Sequence, residues 1–226
     1  MQIQHLHSWE VGLEEARRLQ ESLRTRLIFA PLQDFETVAA TDVSFSLDDD
    51  RLFAAVVVMR LPDFRLIEVA HAERRSTFPY IPGYLSFREA PALLEAFEKL
   101  RTTPEVVLCD GQGIAHPRRL GIAGHLGLFL QIPTLGCAKS VLVGKFAALG
   151  NARGATAPMI FENEQVGVAL RSRPNVKPVF VSPGHLIDLE SSVKVVLRCL
   201  SKYRVPEPLR QAHILVNELR RKRANR

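Results

Sequence analysis

The sequence predicts an α/β fold: a mixed sheet of three antiparallel strands and then parallel strands, flanked by helices. Two observations predict it. Three strand-like runs, Thr37–Ser46, Leu52–Leu61 and Arg65–Glu73, are joined by the short, turn-prone connections LDDDR and PDF, so they should form an antiparallel meander. After them, helical and strand-like stretches alternate, as α/β sheets require. No linker, low-complexity stretch or repeat interrupts the 226 residues, so residues 1–226 read as a single domain.

Each element has its own justification. From about Ser8 to Phe29 the chain reads as an amphipathic helix. Ser8 can cap it, Glu10 sits in the first turn, and Val11, Ala16, Leu19 and Leu23 lie close to one face. The three strands follow. A loop rich in Pro and Gly, FPYIPGY, leads to a helix over about Arg88–Leu100. Glu105–Asp110 is a short apolar strand ending in Asp-Gly, followed by a Gly-rich loop and a helix near Arg119–Leu130. Thr134–Ala138 is another buried strand. Strands are predicted at Ala157–Glu162, Val166–Arg171 and Pro178–Val181, and helices at about Leu189–Leu200 and Pro208–Lys222. This order of elements is the one found in ribonuclease H-like folds.

Composition bounds the rest. Hydrophobic content of 46% is that of a globular protein. The net charge of +6 suits a polyanionic partner. Cys109, Cys137 and Cys199 are far apart and show no CxxC pairing. They point to a reducing compartment, with neither a disulfide framework nor a zinc site. The N-terminus lacks the basic-then-apolar pattern of a secretory signal, and no apolar run is long enough to span a bilayer. A soluble, cytoplasmic protein without a membrane partner is expected.

Three acidic residues sit in dense motifs where a sheet or helix edge meets a loop: Asp42 in TDVSFS, Glu89 in YIPGYLSFRE and Asp110 in LCDGQGIAHPRR. Strand alternation puts Val38, Ala40, Asp42 and Ser44 on one face. An acid in so apolar a run is expensive to bury unless it is paired or bound to metal; the alternative is a half-exposed strand. Asp110 ends a strand, where α/β sheets build sites, although Asp-Gly turns are common. If the first strand lies beside the fourth, Asp42 and Asp110 are neighbours. Ser86-Phe-Arg-Glu89 matches a capping box, but Pro91 then falls too deep in the helix to lose its N–H without penalty. Glu89 therefore reads as a metal- or water-positioning carboxylate. Carboxylates converging from separate elements suit a hard divalent ion, the usual requirement for cutting a phosphodiester.

Neighbouring residues carry weaker signals. His116, Arg118 and Arg119 are suited to phosphate contact. Tyr80, Ile81 and Pro82 form a stiff loop that could wedge between bases or, as is usual for Tyr and Ile, tuck onto the core. Lys139 follows a buried strand; it could hold a phosphate or be an ordinary surface lysine. His213 shares a helix face with Leu209, Ala212, Val216 and Leu219, where a core role is the default. His5, His7, His71, His125 and His185 show no ligand spacing and read as structural or surface. The basic tail LRRKRANR reads as a solvated helix end or as disordered. Neither a P-loop nor a GxGxxG fingerprint is present.

Together these motifs resemble the endonuclease V family of deoxyinosine-specific repair nucleases. The likeness runs from about Phe35 to His213 and is carried by TDVSFS, FPYIPGYLSFREAP, LCDGQGIAHPRRLGIAGHLGL and IPTLGCAKS. Phe45 stands where Tyr is frequent in the family. The resemblance implies a ribonuclease H-like fold and Mg2+, with Mn2+ able to substitute. It implies hydrolysis of the second phosphodiester 3′ to deoxyinosine in DNA, leaving 3′-hydroxyl and 5′-phosphate ends. Asp42 and Asp110 match the metal-binding aspartates and Glu89 the catalytic glutamate, which is also placed at the metal. His213 matches a histidine near the metal, which reverses its local reading, and Lys139 a lysine near the scissile phosphate. Tyr80, with Ile81 and Pro82, matches the wedge that fills the gap left by the extruded base. The base pocket would be lined near Gly83, Leu85, Gly111, Gln112, Gly121 and Ile122. His116 matches a histidine without an assignable role. Inosine-containing RNA is the alternative substrate. A different ribonuclease H-like nuclease and a damage-binding module that does not cut are further alternatives. A monomer is favoured.

Overall fold

A computed structural model describes residues 1, 3–46 and 49–224, with the side chain of Ala224 left aside. The chain begins with an extended N-terminal segment and helix α1 (Leu13–Leu23), followed by a short 3-10 turn, Arg24–Arg26. Strands β1 (Thr37–Phe45), β2 (Arg51–Arg60) and β3 (Arg65–Arg75) come next, then α2 (Leu85–Glu98), β4 (Val106–Cys109), α3 (Ile122–Leu130) and β5 (Thr134–Ala138). A two-stranded excursion, β6 (Lys145–Phe146) and β7 (Thr156–Phe161), leads to β8 (Glu164–Leu170) and β9 (Val179–His185). Helices α4 (Leu189–Arg198) and α5 (Glu207–Ala224) close the chain.

The sheet order is β3-β2-β1-β4-β5-β9-β8-β7-β6. The first three strands form the antiparallel meander, and β1, β4 and β5 run parallel. Beyond β5 the sheet returns to antiparallel pairing. The predicted mixed sheet is present, extended by an antiparallel wing. The loop tip LDDDR includes Leu47 and Asp48, outside the described residues.

One core lies between the sheet and helices α2 and α3, where Leu93, Phe97, Leu126 and Phe129 pack on Ala39, Val56 and Val107. The other lies under α4 and α5, where Val195, Val196, Leu209 and Ala212 pack on Val38, Val57 and Val181. The central strands are covered on both sides, which is why β2 reads as a nearly continuous apolar run. All three cysteines are buried; burial pushes the Cys109 and Cys199 thiols up to about 12, so they pack as small apolar groups.

Several boundaries differ from expectation. Helix α1 starts after Gly12, and Ser8 instead accepts a hydrogen bond from the Glu10 N–H, at 3.1 Å. Helix α2 begins at Leu85, so Pro91 lies inside it and Ser86 is not its cap. An interior proline costs about 3 kcal/mol. Phe87 and Phe97, both fully buried on this helix, each contribute about 1.5–3 kcal/mol, which offsets it. Helix α3 starts at Ile122 rather than Arg119. Strand β6, two exposed residues long, is too short to leave a periodic signal. Part of the basic tail forms the last turns of α5; Asn225 and Arg226 lie outside the described residues. No helix among the described residues is long and apolar enough to cross a membrane.

Candidate active site

The parallel pairing of β1 with β4 puts Thr41 opposite Cys109, and the Asp110 N–H donates to the Thr41 carbonyl at 3.2 Å. Asp42 and Asp110 therefore stand side by side where the pairing of these strands ends, as the topology predicted. Glu89, in the second turn of α2, faces both; their charges act on it directly. Lys139, just after β5, pairs with the Asp110 carboxylate. His213 arrives from α5: its Nδ1 lies 2.7 Å from Asp42 Oδ2. The Asn217 amide donates to His213 Nε2 at 3.2 Å, so the proton sits on Nδ1 and is given to Asp42.

The carboxylates crowd one another. Burial, and then the charges of Asp42 and Asp110, push the Glu89 carboxyl up to about 8. Glu89 keeps some accessible surface, yet protein encloses it closely. Asp42 is also raised, by burial and by Asp110, against the opposing pull of His213 and Lys139. Burial works against the Lys139 ammonium, but Asp110 and Asp42 outweigh it and hold it above its usual value. Among the described residues no three acidic, histidine or cysteine side chains already stand in ligating geometry, since Asp110 is turned to Lys139 and Asp42 to His213. The donor chemistry nonetheless fits a hard divalent cation: three carboxylates, poorly neutralised, at the end of a parallel pair.

A cleft of about 390 Å³ opens beside them. Of the residues that the sequence singled out as catalytic or substrate-binding, His213, Arg118 and Arg119 do not line it and the others do. Tyr80 stands on its rim, 69% exposed, rather than tucked onto the core. Ile81 does pack inward, near Phe78 and Phe87.

The cleft wall around Gly83 is tied together by polar bonds. Gly83 sits at φ +81°, where side chains are disfavoured. Its carbonyl accepts from Arg118 Nη2 at 2.6 Å, His116 Nε2 at 2.9 Å and Gln20 Nε2 at 3.1 Å. His116 Nδ1 accepts from the Arg118 N–H at 3.1 Å, so the ring is neutral, and burial pulls its pKa down to about 4. His116 is thus a structural tie. Arg118 also donates to Gln20 Oε1 at 2.6 Å and stacks on Tyr84. Arg119 reaches Glu164 and the Phe161 carbonyl. This corrects the expectation that His116, Arg118 and Arg119 contact phosphate: internal acceptors already engage all three. Gln112 donates to the Ser140 carbonyl at 3.0 Å. At Gly121 a Cβ would lie 2.3 Å from the Gln112 carbonyl oxygen, so only glycine allows this close approach.

Sequence reasoning missed other cleft residues. Ser86 lines the cleft but looked like a helix cap. Val141 and Leu142, both partly exposed, also line it; their only sequence signal is adjacency to Lys139. Gln20, which braces the Gly83 carbonyl from outside the cleft lining, lies in the predicted amphipathic helix and carries no signal of this role.

The sequence model described as Endonuclease V matches residues 18–214. An endonuclease V from Nostoc punctiforme is 51% identical over 213 residues, 93% of this chain and 96% of that one. The crystal structure of the endonuclease V from Streptomyces avermitilis superposes with a TM-score of 0.92 at 36% identity, covering 99% of this chain and 100% of that one. The Ciona intestinalis endonuclease V in complex with a 24mer DNA containing an inosine followed by a ribo-adenosine gives a TM-score of 0.81 at 28% identity, over 93% of this chain and 98% of that one.

Proposed function

The chain belongs to the endonuclease V family and is a nuclease; from that premise we propose that it cuts DNA at the second phosphodiester 3′ to deoxyinosine. The observation that carries this reading is the placement of Asp42, Glu89, Asp110 and Lys139 along one wall of a cleft whose rim is Tyr80. The inosine-containing DNA bound by the Ciona relative supports it.

Asp42, Asp110 and Glu89 would hold Mg2+, or Mn2+ in its place; when bound, such an ion polarises the phosphate and makes water more acidic. The chain's own residues supply the rest. Lys139 offers a point charge to the scissile phosphate. Glu89 orients the attacking water and accepts its proton. His213 holds Asp42 in one rotamer through the Nδ1 hydrogen bond. Tyr80, with Ile81 and Pro82 behind it, fills the gap left by the flipped base, which offsets an unstacking cost on the order of a few kcal/mol. Gly83, Leu85, Gly111, Gln112, Gly121 and Ile122 line the pocket for that base, with His116 bracing Gly83. The products carry 3′-hydroxyl and 5′-phosphate ends. The chain works as a single domain over residues 1–226, as a cytoplasmic monomer.

The test is a duplex carrying one deoxyinosine, incubated with Mg2+ or with EDTA, beside an Asp42→Ala variant. We expect one Mg2+-dependent nick 3′ of the lesion, absent in the variant and in an inosine-free duplex. Cutting that ignores inosine would sink the reading. The ribo-adenosine after inosine in the Ciona complex favours a second reading, inosine-containing RNA as substrate. A matched RNA strand cut faster than the DNA would establish it.

A further inference from the structure

The residues before α1 run beside α3, with the Gln4 N–H donating to the Phe129 carbonyl at 2.8 Å. Met1, Ile3 and Leu6 pack on the core there. This places the His7 ring in an aromatic box, its centroid 4.5 Å from Trp9, 5.1 Å from Phe129 and 5.8 Å from Phe87. His7 lies ahead of the stretch that the family's sequence model matches.

From His7 a hydrogen-bonded chain crosses to the cleft. His7 Nδ1 is 2.7 Å from the Ser8 carbonyl, His7 Nε2 is 2.7 Å from His125 Nε2, and His125 Nδ1 is 2.9 Å from Ser86 Oγ. Its direction follows from chemistry. A carbonyl only accepts, so His7 Nδ1 carries a proton. In a neutral ring Nε2 then accepts, so His125 donates from Nε2 and accepts at Nδ1. Only the Ser86 hydroxyl can supply that last proton. Burial holds both rings below the ordinary imidazole value, which keeps them neutral. His125 is fully buried and Ser86 is 2% exposed, so water does not compete readily for these bonds.

Ser86 has one proton, and it is committed to His125. Any bond that Ser86 Oγ makes with an occupant of the cleft must be one it accepts. We propose that Ser86 is a specificity-determining acceptor for the flipped base, and that His7 and His125 are positioning residues that keep its proton turned away. This rests on the inosine reading above and deepens it. Hypoxanthine presents an N1–H, which such an acceptor binds. Adenine presents a bare N1, which would meet a lone pair and leave two acceptors unpaired.

The probes are matched duplexes carrying deoxyinosine or deoxynebularine, a purine without the N1–H, with affinities measured in EDTA. Ser86→Ala should weaken binding of the inosine duplex by about tenfold, the scale of one hydrogen bond, and leave the nebularine duplex no weaker. His7→Phe keeps an aromatic ring in the box but frees His125 to take either tautomer, so the Ser86 hydroxyl can turn and donate. The inosine-over-nebularine preference should fall, and adding Ser86→Ala to His7→Phe should lower it no further than Ser86→Ala alone. Ser86→Thr, which retains the hydroxyl, should restore the preference. Imidazole 15N shifts of the unmodified protein should place protons on His7 Nδ1 and His125 Nε2. The proposal is overturned by the opposite tautomers, or by an unchanged preference in a folded Ser86→Ala protein. If the unmodified protein bound inosine and adenine duplexes equally, the inosine reading itself would fall, and the proposal with it.

Discussion

The two ends of the cleft are built on opposite principles. At the carboxylate end, Asp42, Glu89 and Asp110 are crowded anions, relieved in part by Lys139, His213 and Arg88, and two of them are pushed toward protonation. At the Gly83 end, neutral and charged donors converge on a carbonyl, and His116 is held neutral. The first end holds repulsion that a cation would remove; the second is already tied together by hydrogen bonds within the chain. Chemistry belongs where charge is left unbalanced, and selectivity where polar groups are fixed in advance.

This contrast can be broken most directly by removing one group from each end. Asp110→Ala should abolish nicking, a loss well beyond the roughly 10–100-fold expected for a residue that only supports a ligand. It should leave the fold intact, since the deletion relieves repulsion. His213→Ala should fall within that roughly 10–100-fold range, because Asp42 keeps the Val43 N–H bond at 2.9 Å. His116→Ala should do the reverse of Asp110→Ala. It should lower stability by about 1–3 kcal/mol through unpaired buried groups, and lose affinity for the lesion more than turnover. Single-turnover rates, affinities and melting curves separate the two patterns. If Asp110→Ala melted far below His116→Ala, the division between the two ends would be wrong.

The carboxylate end was the more legible in the sequence. Asp42 betrays itself because an acid in an apolar strand needs a partner, and its neighbour Asp110 follows from strand order alone. The Gly83 end was misread because its logic is long-range. His116 and Arg118 look like phosphate ligands when read locally; their acceptor is a carbonyl more than thirty residues upstream. Ser86 three residues before Glu89 matches a helix cap, but the hydroxyl is taken by His125, on another helix. Local pattern cannot show which of two plausible partners a polar group chooses. Residues 8–12 read as the start of a helix for the same reason: Trp9 packs on Phe129 of α3, far away in the chain.

A steric test of intermediate size bears on the preassembled end. Gly121→Ala places a Cβ against the Gln112 carbonyl oxygen, a backbone atom that cannot rotate away. Overpacking of this kind costs about 1–3 kcal/mol, and here the strain would shift the wall of the pocket. Melting temperature and lesion affinity should fall together. A fall in the first alone would mean that the pocket tolerates the shift.

The dependence on pH sharpens the comparison furthest, because the two ends should respond with opposite sign. Glu89 has a folded pKa of about 8, above its ordinary value of 4.5. The folded state therefore binds its proton more tightly than the unfolded state does. Its contribution to stability is present below about pH 4.5 and is lost as pH rises through 8. For His116 the folded pKa is about 4, below its ordinary 6.5, so the unfolded state takes up the proton first. Its contribution is present above about pH 6.5 and is lost as pH falls toward 4. At about 1.4 kcal/mol per pKa unit, each effect has a ceiling of a few kcal/mol. In EDTA, Glu89→Gln should therefore raise the melting temperature most at pH 8 and above, and little at pH 4.5. His116→Gln should cost most at neutral pH and least near pH 4. Melting curves of both variants across this range give two slopes. If they share a sign, the cleft does not divide into a repulsive end and a preassembled one.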